Sequence, residues 1–348
     1  MILAGDIGGT KTILALFEPQ GTGLRKVRQQ LFHSATYTSL EAVLKEFFQG
    51  QVPPLQAACF GIAGAVIEGR VHATNLQWDV SEAGLSTALG VTRLRLLNDL
   101  GATAYGMPYL AAADLEELNP QASARRPGNI GVIAAGTGLG EAMLYWDGQR
   151  FRPLASEGGH ADFAPRQTRE IELLGYLQER FGSHISYERV LSGPGLANIY
   201  EFLRDRQYAP EPAWLHQRLA AAADRSAAIA EAGLDGSAPL CELALEMFAS
   251  LYGAEAGNLA LRTLAVGGIY VGGGIAPKLI TLLRKGAFIR SFVAKGRFES
   301  FLRGLSVQVA LSPEAGLIGA AHYALSLMAE TTPPASVLPA PAPAKQSD

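Results

Sequence analysis

Two stretches of the chain repeat one design. Residues Met1–Phe17 read as an apolar strand, the loop Asp6-Ile7-Gly8-Gly9-Thr10-Lys11, and a second apolar strand. Residues Asn129–Trp146 read the same way: Asn129-Ile-Gly-Val-Ile-Ala-Ala135, then Gly136-Thr137-Gly138-Leu139-Gly140, then Glu141–Trp146. A duplicated strand, glycine–threonine loop and strand implies two similar α/β halves facing one another, with the loops on opposite lips of one cleft. The 39 glycines among 348 residues exceed average usage and follow no collagen-like period, which fits tight turns and close backbone approach to a ligand.

The length predicts about two domains, and 48% apolar residues can fill two cores. With 29 basic and 32 acidic residues the formal charge is −3, so no chain-wide field attracts nucleic acid or an anionic membrane. An anionic ligand must be held locally. Cys59 and Cys241 lie far apart in apolar segments, a pattern of reduced core thiols that predicts a cytoplasmic protein. The start MILAGDIGGTK lacks a secretory signal, and no stretch reaches a membrane-spanning run of about 18 apolar residues.

Between the repeats, Leu24–Phe32 is expected as a third strand and Thr38–Phe48 as an amphipathic helix stopped by Pro53-Pro54. Ala57–Ala63 supplies a fourth strand, Ser81 caps a helix to Leu89, and Arg93–Leu97 forms a fifth strand. Residues 167–265 are predicted to be mostly helical: Glu170–Phe181, Gly195–Arg204, one long Ala-rich stretch at 213–232, and Leu240–Leu264. Val266–Val271 reads as a buried strand, Pro277 as a helix start, and Ser312–Met328 as a last helix. The expected domains are 1–108 with 313–330, and 109–312, followed by a disordered Pro/Ala tail at 331–348.

The chemistry concentrates in a few places. Gly8 and Gly9 let the backbone amides of the first loop approach a phosphate, although a plain hairpin turn uses glycines in the same way. Asp6 shifts that balance, because a carboxylate at the mouth of a phosphate loop is repulsive unless a cation such as Mg²⁺ or its water shell intervenes. The loop at 136–140 is the partner wall. Gly272-Gly273-Gly274 after a strand lets a base or ribose lie against backbone, or is a simple strand-to-helix turn. Asn98-Asp99 stands at the carboxyl end of a strand, where α/β folds place ligands; by itself Asp99 reads better as a helix cap. Glu157-Gly158-Gly159-His160 adds a carboxylate and an imidazole suited to a polyhydroxy ligand.

Taken together and in order, DIGGTK, FGIAGAVIEG with TNLQW, LLNDL, AAGTGLG, SEGGHADFAP, SYERVLSGPGL and VGGGIAP resemble the bacterial hexokinase-type glucokinase family over residues 1 to about 328. The resemblance implies two ribonuclease-H-like α/β domains of the actin and hexokinase type around a central cleft. It implies phosphorylation of glucose at its C6 hydroxyl by ATP, with Asp99 as general base and Asn98, Asp99, Glu157, His160 and Glu188 on the sugar. Gly5, Asp6, Gly8, Gly9, Thr10, Lys11, Thr137, Gly138, Gly193, Gly272, Gly273 and Gly274 resemble the nucleotide site, with Asp6 toward Mg²⁺, directly or through water. A homodimer is implied as well.

Lys11 departs from the family, where Asn commonly follows Gly-Gly-Thr; Lys there is usual in a sister group of repressors and kinases. That sister group carries a cysteine-rich zinc motif after its Glu-x-Gly-His segment, and residues 161–240 contain no cysteine, so the glucokinase branch is favoured and His160 is expected on sugar, not metal. The remaining five histidines read as surface or core residues. A kinase for fructose, mannose or N-acetylglucosamine is the nearest rival. A DNA-binding repressor is not expected, because the phosphate loop begins at Asp6 and leaves no room before it for a helix-turn-helix.

Overall fold

The computed structural model describes residues 1–21, 23–73, 75–154 and 156–329. The expected tail at 331–348 lies outside the described residues. Strands are β1 (Ile2–Ile7), β2 (Lys11–Gln20), β3 (Gly23–His33), β4 (Ala57–Ile62), β5 (Arg70–Ala73), β6 (Trp78–Ser81), β7 (Leu94–Asn98), β8 (Leu115–Glu117), β9 (Ile130–Ala135), β10 (Leu139–Trp146), β11 (Phe151–Leu154), β12 (Ile269–Gly272) and β13 (Val307–Ala310). Helices are α1 (Leu40–Phe48), α2 (Glu82–Leu89), α3 (Asp99–Gly106), α4 (Thr168–Phe181), α5 (Gly193–Asp205), α6 (Ala213–Ala221), α7 (Arg225–Leu234), α8 (Pro239–Thr263), α9 (Ile280–Leu283), α10 (Ala287–Val293), α11 (Glu299–Arg303) and α12 (Ala315–Ala329).

The duplication read from the loops extends to whole sheets. The first sheet runs β3-β2-β1-β4-β7 and the second β11-β10-β9-β12-β13, with β8 added at its edge. In each, the strand before the glycine–threonine loop pairs antiparallel with the strand after it and parallel with the next: β1 with β2 and β4, β9 with β10 and β12. The parallel strands are buried on both faces, as β4 (AACFGI) is at every residue, which is why they read as continuous apolar runs and not as alternation. Both loops therefore sit at equivalent sheet edges, as a duplicated α/β unit requires.

Helices α3 and α12 join the halves. A Cβ at Gly106 would overlap the Ala315 carbonyl, and one at Gly319 the Ala102 carbonyl, so these backbones touch with no side chain between them. Leu317, Ala320, Ala321 and Ala324 of α12 pack on Ile2 and Ala4 of β1 and on Ala57 and Cys59 of β4. Helix α3 meanwhile sends Ala104 and Tyr105 into a cluster with Ile130, Val132 and Leu144 of the second sheet.

The 25-residue α8 is the core of the larger half, buried nearly all round. Its Tyr252 hydroxyl accepts from the Ala135 amide at 3.1 Å and lies 3.4 Å from the carbonyls of Ile133 and Gly272. One buried phenol thus ties the ends of β9 and β12, from which two glycine loops depart.

Three expectations need correction. The Ala-rich stretch is two helices, α6 and α7, because Ala222 turns extended and Asp224 caps a new helix by accepting from the Ala227 amide. The strand expected at Val266 begins at Ile269: the Gly267 amide goes to Asn129 O and Gly268 has φ +104°. After Pro277 the chain makes turns, and regular helix begins only at Ile280. Strands β5, β6, β8 and β11 and helices α10 and α11 were not legible; each is short. Cys59 and Cys241 are buried and free, as expected.

Candidate active site

The first loop is held from behind. Gly8 N donates to Lys11 O at 2.9 Å, Ser34 Oγ donates to Gly8 O at 2.8 Å, and Ser34 N donates to Thr10 O at 3.1 Å. Buried Ser34, itself bonded to Thr12 Oγ1 at 2.9 Å, is a residue the sequence reading missed. The amides of Gly9 and Thr10 have no intramolecular acceptor among the described residues, so they are available to an anion. Thr10 and Lys11 are exposed. Gly9 faces Asn75, whose Cβ would stand 3.2 Å from a Cβ there.

Asp6 ends β1 at this loop and is mostly buried. Burial, and secondly the charge of Asp99, push its carboxyl up to about 6. A Cβ at Gly316 already stands 3.1 Å from that carboxyl, so any larger residue at the start of α12 would crowd it. Asp6 has no hydrogen-bond or ion-pair partner among the described residues. A mostly buried carboxylate whose pKa is raised and which is itself unpaired fits a cation, whereas no cluster of three or more His, Cys, Asp or Glu side chains able to hold a metal occurs among the described residues.

Asn98 and Asp99 divide the work at the start of α3. The cap role weighed for Asp99 falls to Asn98: its Oδ1 accepts from the amides of Leu100 at 3.0 Å and Gly101 at 3.3 Å, and its Nδ2 donates to Gly64 O at 3.0 Å. Asp99 is the first helical residue and accepts from Leu100 N at 2.8 Å. Burial raises its pKa, opposed by backbone hydrogen bonds and reinforced by the charge of Glu157. Asp99 therefore lies in the electrostatic reach of both Asp6 on the phosphate loop and Glu157 on the opposite half.

Glu157 and His160 are exposed and border a single 3₁₀ turn, Gly158–His160, that lies flat on β10: a Cβ at Gly159 would overlap the Leu139 carbonyl. The Tyr187 amide donates to Ala161 O at 2.9 Å, which sets Glu188 beside this turn. Glu188 also serves the second loop. Its Oε2 accepts from Leu139 N at 3.0 Å and lies 2.5 Å from where a Gly138 Cβ would be, so that glycine admits the carboxylate. The other five histidines have local roles where partners are seen: His72 with Asp79, His184 with Asp162, His216 with Glu211, and His322 stacked on Tyr109 with its pKa lowered to about 4 by burial.

The second loop opens into a cavity of about 410 Å³. Thr137, Gly193 and Gly274 of the expected nucleotide set line it, together with Gly136. Gly193 N donates to Gly136 O at 2.8 Å, and Gly273 at φ +80° would overlap the Ala135 carbonyl if it carried a Cβ, so the three glycine segments form one wall. The rest of the lining was not foreseen: Leu196, Ala227, Ala230, Ile275 and Leu279 are apolar, and Asp224, Ser226 and Lys278 are polar. Leu196 and Ile275 lie within two of the quoted motifs, but as apolar residues they read as ordinary core. Gly272 stands apart, buried behind the wall against Met107.

Comparison with known proteins gives a consistent result. The family described as Glucokinase matches residues 3–327. The chain is 41% identical over 341 residues to a glucokinase of Nostoc punctiforme, covering 94% of this chain and 99% of that one. It is 43% identical over 343 residues to a glucokinase of Synechocystis, covering 92% and 96%. Among solved structures it resembles a glucokinase from an Antarctic psychrotroph with TM-score 0.83 and 30% identity, over 93% of this chain and 98% of that one. A glucose complex of glucokinase from Balamuthia mandrillaris, at 22% identity and TM-score 0.71 over 93% of both chains, shares the fold.

Proposed function

This chain belongs to the glucokinase family and phosphorylates glucose at the C6 hydroxyl with ATP, and we propose that Asp99 is the general base of that transfer. Lys11 therefore does not move it to the sister group. The observation that carries the assignment is Asp99 at the start of α3, held by the Asn98 cap and within electrostatic reach of both the unpaired Asp6 at the phosphate loop and Glu157 of the sugar turn.

Phosphoryl transfer needs positioning and charge neutralisation more than covalent chemistry. In this reading the C6 hydroxyl faces the Asp99 carboxylate, which takes the proton as the bond to phosphorus forms. A carboxylate suffices, because the hydroxyl loses its proton late. Glu157, His160, Asn98 and the free oxygen of Glu188 hold the ring hydroxyls. Backbone amides at Gly9, Thr10, Thr137 and Gly138 receive phosphate oxygens, and the apolar walls at Leu196, Ile275 and Leu279 receive the base. That apolar cavity supports a nucleoside triphosphate over inorganic polyphosphate as donor.

Mg²⁺ fits at Asp6, directly or through water; when bound with ATP it neutralises the phosphate charge that Asp6 and Asp99 would otherwise repel. We take residues 1–108 with 313–330 as the half that closes on 109–312, a homodimer as the assembly, and the cytoplasm as the compartment. Among the described residues no helix is long and apolar enough to cross a membrane, and two free thiols suit a reducing compartment. The test is a coupled assay of kcat/KM for glucose, fructose, mannose and N-acetylglucosamine, with ATP and then polyphosphate as donor. Glucose with ATP should lead by at least about tenfold. Preference for another hexose, or equal use of polyphosphate, overturns the site reading.

A further inference from the structure

Beneath the sugar turn lies a buried ionic cluster that the reaction as described does not use. Glu141 of β10 is 2% exposed and Glu255 of α8 is fully buried, and a single guanidinium, that of Arg262, bonds both: 2.9 Å to Glu141 Oε2 and a shorter contact to Glu255 Oε1. The one guanidinium between them puts each carboxyl in the field of the other. Two carboxylates share one partly exposed arginine, and the next cation, Lys295, reaches them only through Asn258, so holding both ionised in the core is costly. Glu141 Oε1 is buried and takes no hydrogen bond among the described residues, so nothing there solvates a full charge on that carboxyl.

The cluster touches both segments that carry the sugar residues. A Cβ at Gly158 would stand 2.5 Å from Glu141 Oε2, so the backbone of the Glu157–His160 turn rests on that carboxyl. Glu255 accepts from Asn258 Nδ2 at 2.8 Å, and the same amide group reaches the Tyr187 hydroxyl at 3.1 Å, next in the chain to Glu188. Lys295 donates to Asn258 Oδ1 at 2.5 Å and closes the cluster from the far side.

We propose that Glu141 and Glu255, held together by Arg262 with Glu141 protonated, are positioning residues that set the sugar turn and Glu188 for glucose. This rests on the sugar-site reading given above. Loss of the Glu141 proton places two bare carboxylates together under Gly158, so the turn lifts and glucose binding weakens while the nucleotide cavity, whose lining includes none of these residues, is spared. The groups facing Glu141 are Glu255, Arg262 and Tyr252 from α8, with Tyr187 and Lys295 in the next ring. Burial and the charge of Glu255 hold the Glu141 pKa well above the ordinary carboxylate range, so the loss comes as pH rises.

The test is glucose Kd without nucleotide, from about pH 6 to about pH 9, for the wild type, Glu141→Gln, Glu141→Ala and Glu157→Ala. Wild-type affinity should hold to neutrality and fall about tenfold through the alkaline range. Glu141→Gln carries its amide hydrogens at every pH, so it should keep the neutral Kd and lose the alkaline fall. Glu141→Ala should weaken glucose about tenfold at neutral pH and leave the KM for ATP within about twofold; should it fail to fold, the Glu141→Gln profile decides alone. A wild type with no alkaline fall, a Glu141→Gln profile matching it, or equal losses for glucose and ATP overturns the inference. If Glu157→Ala leaves glucose binding unchanged, the sugar-site reading itself fails, which is a separate result.

Discussion

Asn98 caps the helix that Asp99 begins. The Asn98 carboxamide takes two amides of the first turn and returns one hydrogen bond to Gly64 O, so the backbone that aims the Asp99 carboxyl is fixed from both sides. Asn98→Ala should cost about 1 to 2 kcal/mol of stability through the lost cap. It should also lower kcat more than the stability loss explains, because Asp99 loses its support. Chemical denaturation and steady-state kinetics on one preparation check this; a full kcat with a lowered midpoint would confine Asn98 to capping.

Asp6 gives a signed pH dependence. Its native carboxyl is raised to about 6 from 3.8, so its contribution to stability is fully present below the unfolded value and lost as pH rises through the native one. Asp6→Asn should therefore stabilise the ligand-free protein at neutral pH by about 1 to 2 kcal/mol, partial exposure reducing the effect, and change little near pH 4. Its Mg²⁺ requirement should rise at the same time. Melting curves at the two pH values decide, and a stabilisation independent of pH would contradict the burial argument.

Glu157 and His160 are exposed before glucose arrives, and the half-buried Asn98 and Asp99 stand on the other half, which makes binding a closing force. Saturating glucose without nucleotide should reduce the radius of gyration in small-angle scattering, and Glu157→Ala or His160→Ala should weaken glucose by about 1 to 3 kcal/mol each. Unchanged scattering would show that the ligands do not reach across.

Tyr252 reaches the ends of β9 and β12 through one hydroxyl. Tyr252→Phe leaves the Ala135 amide buried and unpaired, which should cost about 1 to 3 kcal/mol and raise the KM for ATP more than that for glucose. Denaturant midpoints and the two KM values measure both parts.

The repeat of strand, loop and strand was legible because each loop needs glycines at fixed places, and glycine is conspicuous in a sequence. The order of both sheets follows from that repeat. Helix α1 was legible through its apolar face, whereas the break between α6 and α7 was hidden, since Ala222 and its neighbours suit helix and only Asp224 marks the new start. Site residues with chemistry of their own, Asp6, Asp99, Glu157, His160 and Glu188, stood out and are gathered in one region. Ser34, which pins the first loop, and Leu196, Ile275 and Leu279, which wall the cavity, did not. Their roles come from long-range packing that leaves no local pattern.

The central claim is that the Asp99 carboxylate accepts the C6 proton. Asp99→Asn preserves the shape and the hydrogen bond from Leu100, so glucose Kd should stay within about threefold while kcat falls by about two to four decades. Turnover near the wild-type value with glucose bound normally would contradict it.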